Sequence, residues 1–424
     1  MMRLFQGSFA RNFAWLVGSE GLVRITRLGT AVVLARYLTA AEFGVAALAV
    51  ASHELLRLLA HNGFGLKLIR AGDDQVDKLC NTLFVLNWAW SLGLFALQCA
   101  AGLLVADYFG VDDVGPMLFI LAGVYLTMPL GLTQMYRVHR QQRLKVTAWV
   151  DSTQVMADNV LTAVLAIAGL GAWAIVLPKL IVAPIWVIGY RMADAWRFDR
   201  NKGFAPFGEA FGETRGILSS ELARGLRAQL DIFVIGRVLG TEVLGLYYFA
   251  RNAGLGISLA LLQAAMHAML PKLGEVVRRF GVGSELAAEN LRILRIMLVV
   301  TLPVIAAQVL LAPYYVPLVF GGQWQPAIPV LMLLCLSAVP RIVGEGMTQL
   351  TRAAGHAVVD ARWNVWSAPA LFTAVLAGCH YGLVGTASAV LLFHLVYQSL
   401  FVAVTGSRLF RRPQPEPRPL HATT

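Results

Sequence analysis

The chain has 424 residues, 58% of them hydrophobic and 14% charged, with a mean hydropathy of +0.65. Soluble domains run nearer 45–50% apolar and about 25% charged, so a water-soluble enzyme or binding module is excluded. The net charge of +11 would suggest nucleic acid in a soluble protein, but its distribution along this chain argues against that.

A bilayer-crossing helix needs roughly 20 mostly apolar residues. About twelve such stretches follow one another, at 13–38, 42–65, 80–106, 115–136, 147–169, 172–193, 216–239, 242–270, 289–311, 326–350, 358–380 and 383–405. The first is long and lacks a small-residue cleavage site after it, so a retained span is expected rather than a signal peptide. Basic residues gather before the first span, after every even-numbered span and in the tail, as with Arg137, Arg140, Arg143 and Lys145 after the fourth. The odd-numbered gaps, among them Asp107–Gly115, Gly169–Ala172 and Ala312–Pro326, hold no Lys or Arg. That asymmetry places both termini in the cytoplasm. The expected fold is an all-α integral membrane protein.

The chain also repeats itself. Ser19, Glu20, Arg24 and Arg27 are answered by Ser220, Glu221, Arg224 and Arg227, and Leu34-Ala35-Arg36-Tyr37-Leu38 by Ile235-Gly236-Arg237-Val238-Leu239. Further on, Thr133-Gln134-Met135-Tyr136-Arg137 is answered by Thr348-Gln349-Leu350-Thr351-Arg352. Two halves written on one plan are a common construction of secondary transporters. Six spans per half is an even number, so both halves enter from the same side and form a parallel repeat about an axis along the membrane normal. The expected organisation is a six-helix bundle at 1–192, a cytoplasmic linker at 193–215, a second bundle at 216–405 and a disordered, proline- and arginine-rich tail at 406–424.

Ionisable groups inside spans are expensive and default to a functional hypothesis. At ~1.5 Å per residue, Arg24 lies ~15 Å into the first span, and Arg224 and Arg227 lie at similar depth in the seventh. Glu20, Arg24 and Arg27 share one helix face by their i, i+4, i+7 spacing. His53 and Arg57 are spaced i, i+4 in the second span with Glu54 beside them, Asp231 follows Arg227 by four, and Arg251 lies in the eighth span. Six arginines (24, 27, 57, 224, 227 and 251) face four carboxylates (20, 54, 221 and 231). A wet, modestly cationic cavity suits a phosphate-bearing substrate, because guanidinium offers a two-pronged donor fork. The alternative is ion pairing that only locks helices together. Asp151, Gln154 and Asp158 on the fifth span, and Arg341, Glu345 and Gln349 on the tenth, either line such a cavity or bridge helices.

Cys80, Cys99, Cys335 and Cys379 show no metal-type spacing, and no phosphate loop, dinucleotide fingerprint or His/Glu metal motif is present. No cofactor and no metal are expected. The longest outer loop, about fifteen residues at Ala312–Pro326, leaves little room for the catalytic loop of a membrane glycosyltransferase or polymerase.

Val33-Leu34-Ala35-Arg36-Tyr37-Leu38 followed by Glu42-Phe43-Gly44 resembles the opening of the polysaccharide transporter family, flippases of the multidrug/oligosaccharidyl-lipid/polysaccharide exporter superfamily. Leu230-Asp231-Ile232-Phe233-Val234-Ile235-Gly236-Arg237, with Leu244-Gly245-Leu246-Tyr247, is similar to its seventh-to-eighth segment, and Pro317-Leu318-Val319-Phe320-Gly321-Gly322-Gln323-Trp324 to its outer loop. Thr39-Ala40 stands where that family usually has Gly-Pro. The resemblance implies two six-helix bundles around a cavity that opens alternately to either side. It implies an undecaprenyl-diphosphate-linked oligosaccharide as cargo, moved outward across a bacterial inner membrane for exopolysaccharide, capsule or O-antigen assembly. Membrane lipids and the polysaccharide polymerase and export machinery would be the partners, nucleic acid would not, and the protein would not be an enzyme. The expected substrate-binding residues are Arg24, Arg27, Arg57, Arg224, Arg227, Arg251, Glu20, Glu221, His53 and Asp231. The rival within the superfamily is a cation-coupled multidrug antiporter, which should show a net acidic cavity. A membrane glycosyltransferase or polymerase is the rival from another class.

Overall fold

The structure is a computed structural model that describes residues 8–60, 64–207, 214–255 and 269–411. Among these residues there are helices and turns and no strand. In lipid, backbone groups must be satisfied within the segment, which helices do.

The chain divides into two compact units, Met1–Arg237 and Val238–Thr424. The first holds α1 (Ser8–Tyr37), α2 (Ala40–Ala60), α3 (Phe64–Arg70), α4 (Val76–Phe109), α5 (Val114–Thr127), α6 (Pro129–Arg140), α7 (Leu144–Ile167), α8 (Trp173–Ile181), α9 (Ala183–Ala193) and nearly all of α10 (Thr214–Val238). The second holds α11 (Gly240–Ala250) with a π turn after it, α12 (269–280), α13 (Ser284–Tyr315), α14 (Ile328–Ala353), α15 (Ala357–Cys379) and α16 (Gly382–Arg411).

Among the described residues six helical segments are long and apolar enough to cross a membrane, seven if α5 and α6 count as one bent span. Others are as long but too polar to qualify by composition. α7 contains Lys145, Asp151 and Asp158, and α10 contains Arg215, Glu221, Arg224, Arg227, Asp231 and Arg237. They are the helices on which the sequence places candidate functional groups.

One expected span is bent and another is interrupted at a single residue. The fourth bends by 52° between α5 and α6, where Pro129 supplies no N–H and crowds the preceding turn. The sixth breaks at Val182, one residue before α9 begins with Pro184 in its first turn. The expected outer loop at 312–326 is mostly ordered turn. α13 continues to Tyr315, a π turn covers Val316–Phe320 and a 3-10 turn covers Gly322–Ala327. Gly321 joins them at φ 114°, a conformation that glycine adopts without strain. The segment is ordered because Trp324, fully buried, stacks on Phe249 at 4.1 Å between ring centroids. α16 runs to Arg411, beyond the expected end of the last span.

The start of α2 explains the departure from Gly-Pro at residues 39 and 40. A carboxylate oxygen of Glu42 accepts the Thr39 amide at 2.7 Å and its hydroxyl at 2.9 Å, while Thr39 Oγ1 accepts the Glu42 amide at 3.3 Å. This is a capping box, with two end-of-helix donors satisfied reciprocally.

Candidate functional site

In the first unit α1 lies on α7. Thr30 Oγ1 donates to the Asn159 carbonyl at 2.8 Å, and Asn159 Nδ2 donates to Thr26 Oγ1 at 3.1 Å. Val23, Thr26 and Thr30 take the packed side, which leaves Arg24 and Arg27 on the side the first unit does not cover. Among the described residues neither has an ion-pair partner. The side chain of Glu20, the expected partner of Arg24, lies outside the described residues, as do those of Glu221 and Arg224.

α10 approaches α2 closely at Gly225, where an added Cβ would overlap Leu58. A side chain at 225 would have to displace the end of Leu58, so the small residue suits the close approach. At one end of α10, Phe233 meets Phe109 at 6.2 Å and the Arg237 guanidinium sits 5.1 Å from the Tyr108 ring centroid. α10 therefore brings half-buried Arg227 and Asp231 onto a helix neighbouring the one that carries Arg57. Asp231 turns one carboxylate oxygen to the amide of Ile232 at 3.0 Å. Arg57 is exposed and gripped by Glu54 at 2.7 Å. Arg251, half-buried, opens the π turn Arg251–Leu255 of the second unit.

His53 is placed differently from Arg57. It is 2% exposed, its Nδ1 lies 2.9 Å from Gln98 Oε1, and its ring lies 5.6 Å from that of Tyr125. Gln98 Nε2 in turn donates to the Leu118 carbonyl at 2.9 Å. His53 thus ties α2 to α4 and α5 inside the first unit.

The other acidic groups of the first unit bridge helices. Asp158 pairs with Lys179 of α8 at 3.5 Å, and Asp151 accepts the Tyr190 hydroxyl of α9 at 3.2 Å. In the second unit Gln349 donates to Glu345 at 3.2 Å. Gln398 of α16 packs over Gly344 of α14 so closely that a Cβ there would overlap it.

At the end of the first unit where α4 begins and α9 finishes, charges are interlocked. Arg137 Nε donates to both oxygens of Asp194 at 3.0 and 3.1 Å. Asp77 lies 3.9 Å from Arg137 and 2.9 Å from Lys202. Arg140 donates to the carbonyls of Leu68 and Ala71 and to Asp73. A cavity of about 320 Å³ lies among Asp73, Asp77, Arg137, Arg140 and Gln141. A second, of about 340 Å³, lies at the other end among Glu42, Asp113, Gly171 and Trp173. Among the described residues no group of three or more His, Cys, Asp or Glu is placed to hold a metal ion.

Comparison with known proteins agrees with this architecture. Residues 33–329 match the family described as "Polysaccharide biosynthesis protein". Lipopolysaccharide biosynthesis protein WzxC of Escherichia coli is 23% identical over 89% of this chain and 75% of its own length. Succinoglycan biosynthesis transport protein ExoT of Rhizobium meliloti is 25% identical over 77% of this chain and 65% of its own length. Among solved structures, lipid II flippase MurJ in an inward closed conformation superposes with a TM-score of 0.75 at 12% identity, covering 92% of this chain and 87% of MurJ. An inward-facing multidrug resistance MATE transporter gives 0.69 at 14% identity, covering 96% of each chain. At such identities these likenesses show the fold, a multi-pass helical membrane protein of two-bundle architecture. The family match extends over more than half of the sequence, and the chain belongs to the polysaccharide biosynthesis protein family.

Proposed function

We propose that this protein is a flippase that moves undecaprenyl-diphosphate-linked oligosaccharide across a bacterial inner membrane for exopolysaccharide, capsule or O-antigen assembly. The observation that carries the reading is the family match over residues 33–329, and the arginines along the long charged helices α1 and α10 support it. The fold is shared by lipid and drug transporters, so the choice between them rests on the family and on the sign of the charge. Arg24 and Arg27 on α1, Arg57 on α2, Arg224 and Arg227 on α10 and Arg251 in the second unit would draw the diphosphate and sugars through, with the polyprenyl tail left in lipid. Glu20, Glu221 and Asp231 would hold those guanidinium groups in place, while His53 would act through the helix it fastens. The two bundles would be 1–192 and 216–405, joined by the linker 193–215.

Both termini would be cytoplasmic. Single cysteines at Asp113 and Gln323 should then label from outside and one at Lys202 should not. The functional test is deletion of the gene. Finished lipid-linked repeat units should accumulate while surface glycan disappears. Repeat units short by one sugar would instead make the protein a glycosyltransferase.

A further inference from the structure

The segment 194–207, which follows α9, is a strap fastened across the end of the first unit. Asn81 Nδ2 donates to the carbonyls of Asp199 at 2.7 Å and Gly203 at 2.9 Å. The Thr82 hydroxyl donates to the Ala205 carbonyl at 3.0 Å and accepts the Ala205 amide at 2.9 Å. Gln134 Nε2 donates to the Trp196 carbonyl at 3.1 Å, and Lys202 pairs with Asp77. Trp196 is buried as the inner peg of the strap. Asp77, Asn81 and Thr82 lie in the first two turns of α4, an apolar span, Gln134 lies in α6, and the strap leaves directly from α9, the end of another span. The strap thus lies at the ends of two candidate spans, as a segment at headgroup level would.

Its outer side is aromatic and cationic. Phe198, Phe204 and Phe207 form a row, with centroid separations of 6.2 Å between neighbours, and Phe198 stacks on Phe84 of α4 at 5.2 Å. All three remain substantially uncovered, at 40%, 40% and 45% exposure. Between them Arg197, Arg200 and Lys202 are exposed. Arg197 reaches only the neighbouring Trp196 carbonyl, and Arg200 has no carboxylate partner among the described residues. Asp199, the one acid of the strap's outer stretch, is turned to the amide of Asn201 at 3.0 Å. Fixed aromatic rings beside exposed cations, of which Arg197 and Arg200 have no carboxylate partner among the described residues and Lys202 shares Asp77, match the bilayer interface, with apolar faces towards the acyl boundary and cations towards phosphates.

We infer that the strap 194–207 is an interfacial anchor that binds anionic phospholipid headgroups of the adjoining leaflet through Arg197, Arg200 and Lys202, with Phe198, Phe204 and Phe207 inserted beside them. This holds whether or not the protein moves glycan. A cation near an anionic surface gains about five-fold in partitioning at low salt, so three of them produce a selectivity that can be measured.

The test uses the full chain in nanodiscs of three parts phosphatidylcholine to one part phosphatidylglycerol. Spin-labelled phosphatidylglycerol and phosphatidylcholine are compared for the motionally restricted fraction. An Asn201→Cys variant with Cys80, Cys99, Cys335 and Cys379 changed to serine carries a fluorophore, challenged with aqueous iodide and with headgroup-region nitroxide lipid. The protein should prefer phosphatidylglycerol, and its label should be quenched by the nitroxide lipid and shielded from iodide. Arg197→Gln/Arg200→Gln/Lys202→Gln should lose that preference, and the double variant Arg197→Lys/Arg200→Lys, which keeps all three charges, should retain it. Phe198→Ser/Phe204→Ser/Phe207→Ser should open the label to iodide. Equal binding of the two lipids in the unmodified chain would overturn the inference. So would a label open to iodide, which means water, or one shielded from both quenchers, which means a protein surface or second copy covers the strap.

Discussion

Arg352 holds Asp360 with two donors, Nε at 3.1 Å and Nη2 at 2.9 Å from one carboxylate oxygen, while Thr348 and Asn364 bind the other at 3.1 and 2.8 Å. Its repeat counterpart Arg137 also grips a carboxylate, with Nε donating to both oxygens of Asp194 at 3.0 and 3.1 Å. Both carboxylates are buried, at 5% and 7% exposure. The Thr-Gln-x-x-Arg echo thus marks one device used twice, although its acid comes from the first turn of α15 in one unit and from beyond α9 in the other.

Removing the arginine strands a buried carboxylate, which costs more than the pair contributes while intact. Arg352→Ala should destabilise the purified protein by about 1–3 kcal/mol, read as a lower melting temperature in detergent. Arg352→Lys should fall between, because lysine keeps the charge and loses the fork.

His53 and Gln98 should behave as a coupled pair. His53→Leu leaves Gln98 Oε1 without its donor inside the unit, and Gln98→Leu leaves the imidazole Nδ1–H without its acceptor. Each single change should cost about 1–3 kcal/mol. The double change, which removes both polar partners, should cost less than the sum of the two in a melting series.

Gly225 tests the approach of α10 to α2. Gly225→Leu should force the helices apart at Leu58, at a cost of about 1–3 kcal/mol, with reduced surface polysaccharide. Adding Leu58→Ala should recover part of both. Export that is unaffected by Gly225→Leu would show that this contact is dispensable.

For the duplicated arginines, Arg24→Gln should abolish surface glycan while the protein stays inserted and abundant, and Arg24→Lys should restore part of it. If Glu20→Gln/Arg24→Gln exports glycan normally while Arg24→Gln alone lowers protein level, the arginine is a brace for Glu20 and has no phosphate to meet.

Most helical segments, the repeat and the basic-residue asymmetry are legible because apolar length and lysine/arginine placement are properties of composition. The bend at Met128 and the one-residue interruption at Val182 are not, since hydropathy counts apolar residues and ignores dihedral angles, although Pro129 and Pro184 mark both places. The ordered turn at 316–327 escapes a loop reading because its stability comes from Trp324 meeting Phe249, 75 residues earlier in the chain. The i, i+4 spacing of His53 and Arg57 suggests one face, yet the edge of the packed side of α2 runs between them. That edge is set by α4 and α5, which helix periodicity cannot supply. Lys179, the partner of Asp158, sits inside an apolar span and carries no motif that would single it out.

The central claim is movement of an assembled lipid-linked glycan between leaflets. The purified full chain can be placed in proteoliposomes loaded with a fluorescent polyprenyl-diphosphate-linked oligosaccharide, and the fraction open to a membrane-impermeant glycosidase added outside can be followed with time. With the protein, nearly all of the lipid should become accessible, and with Arg24→Gln the accessible fraction should stay at the half initially exposed. Equal accessibility with and without active protein, together with transport of a cationic drug by the same vesicles, would contradict the account.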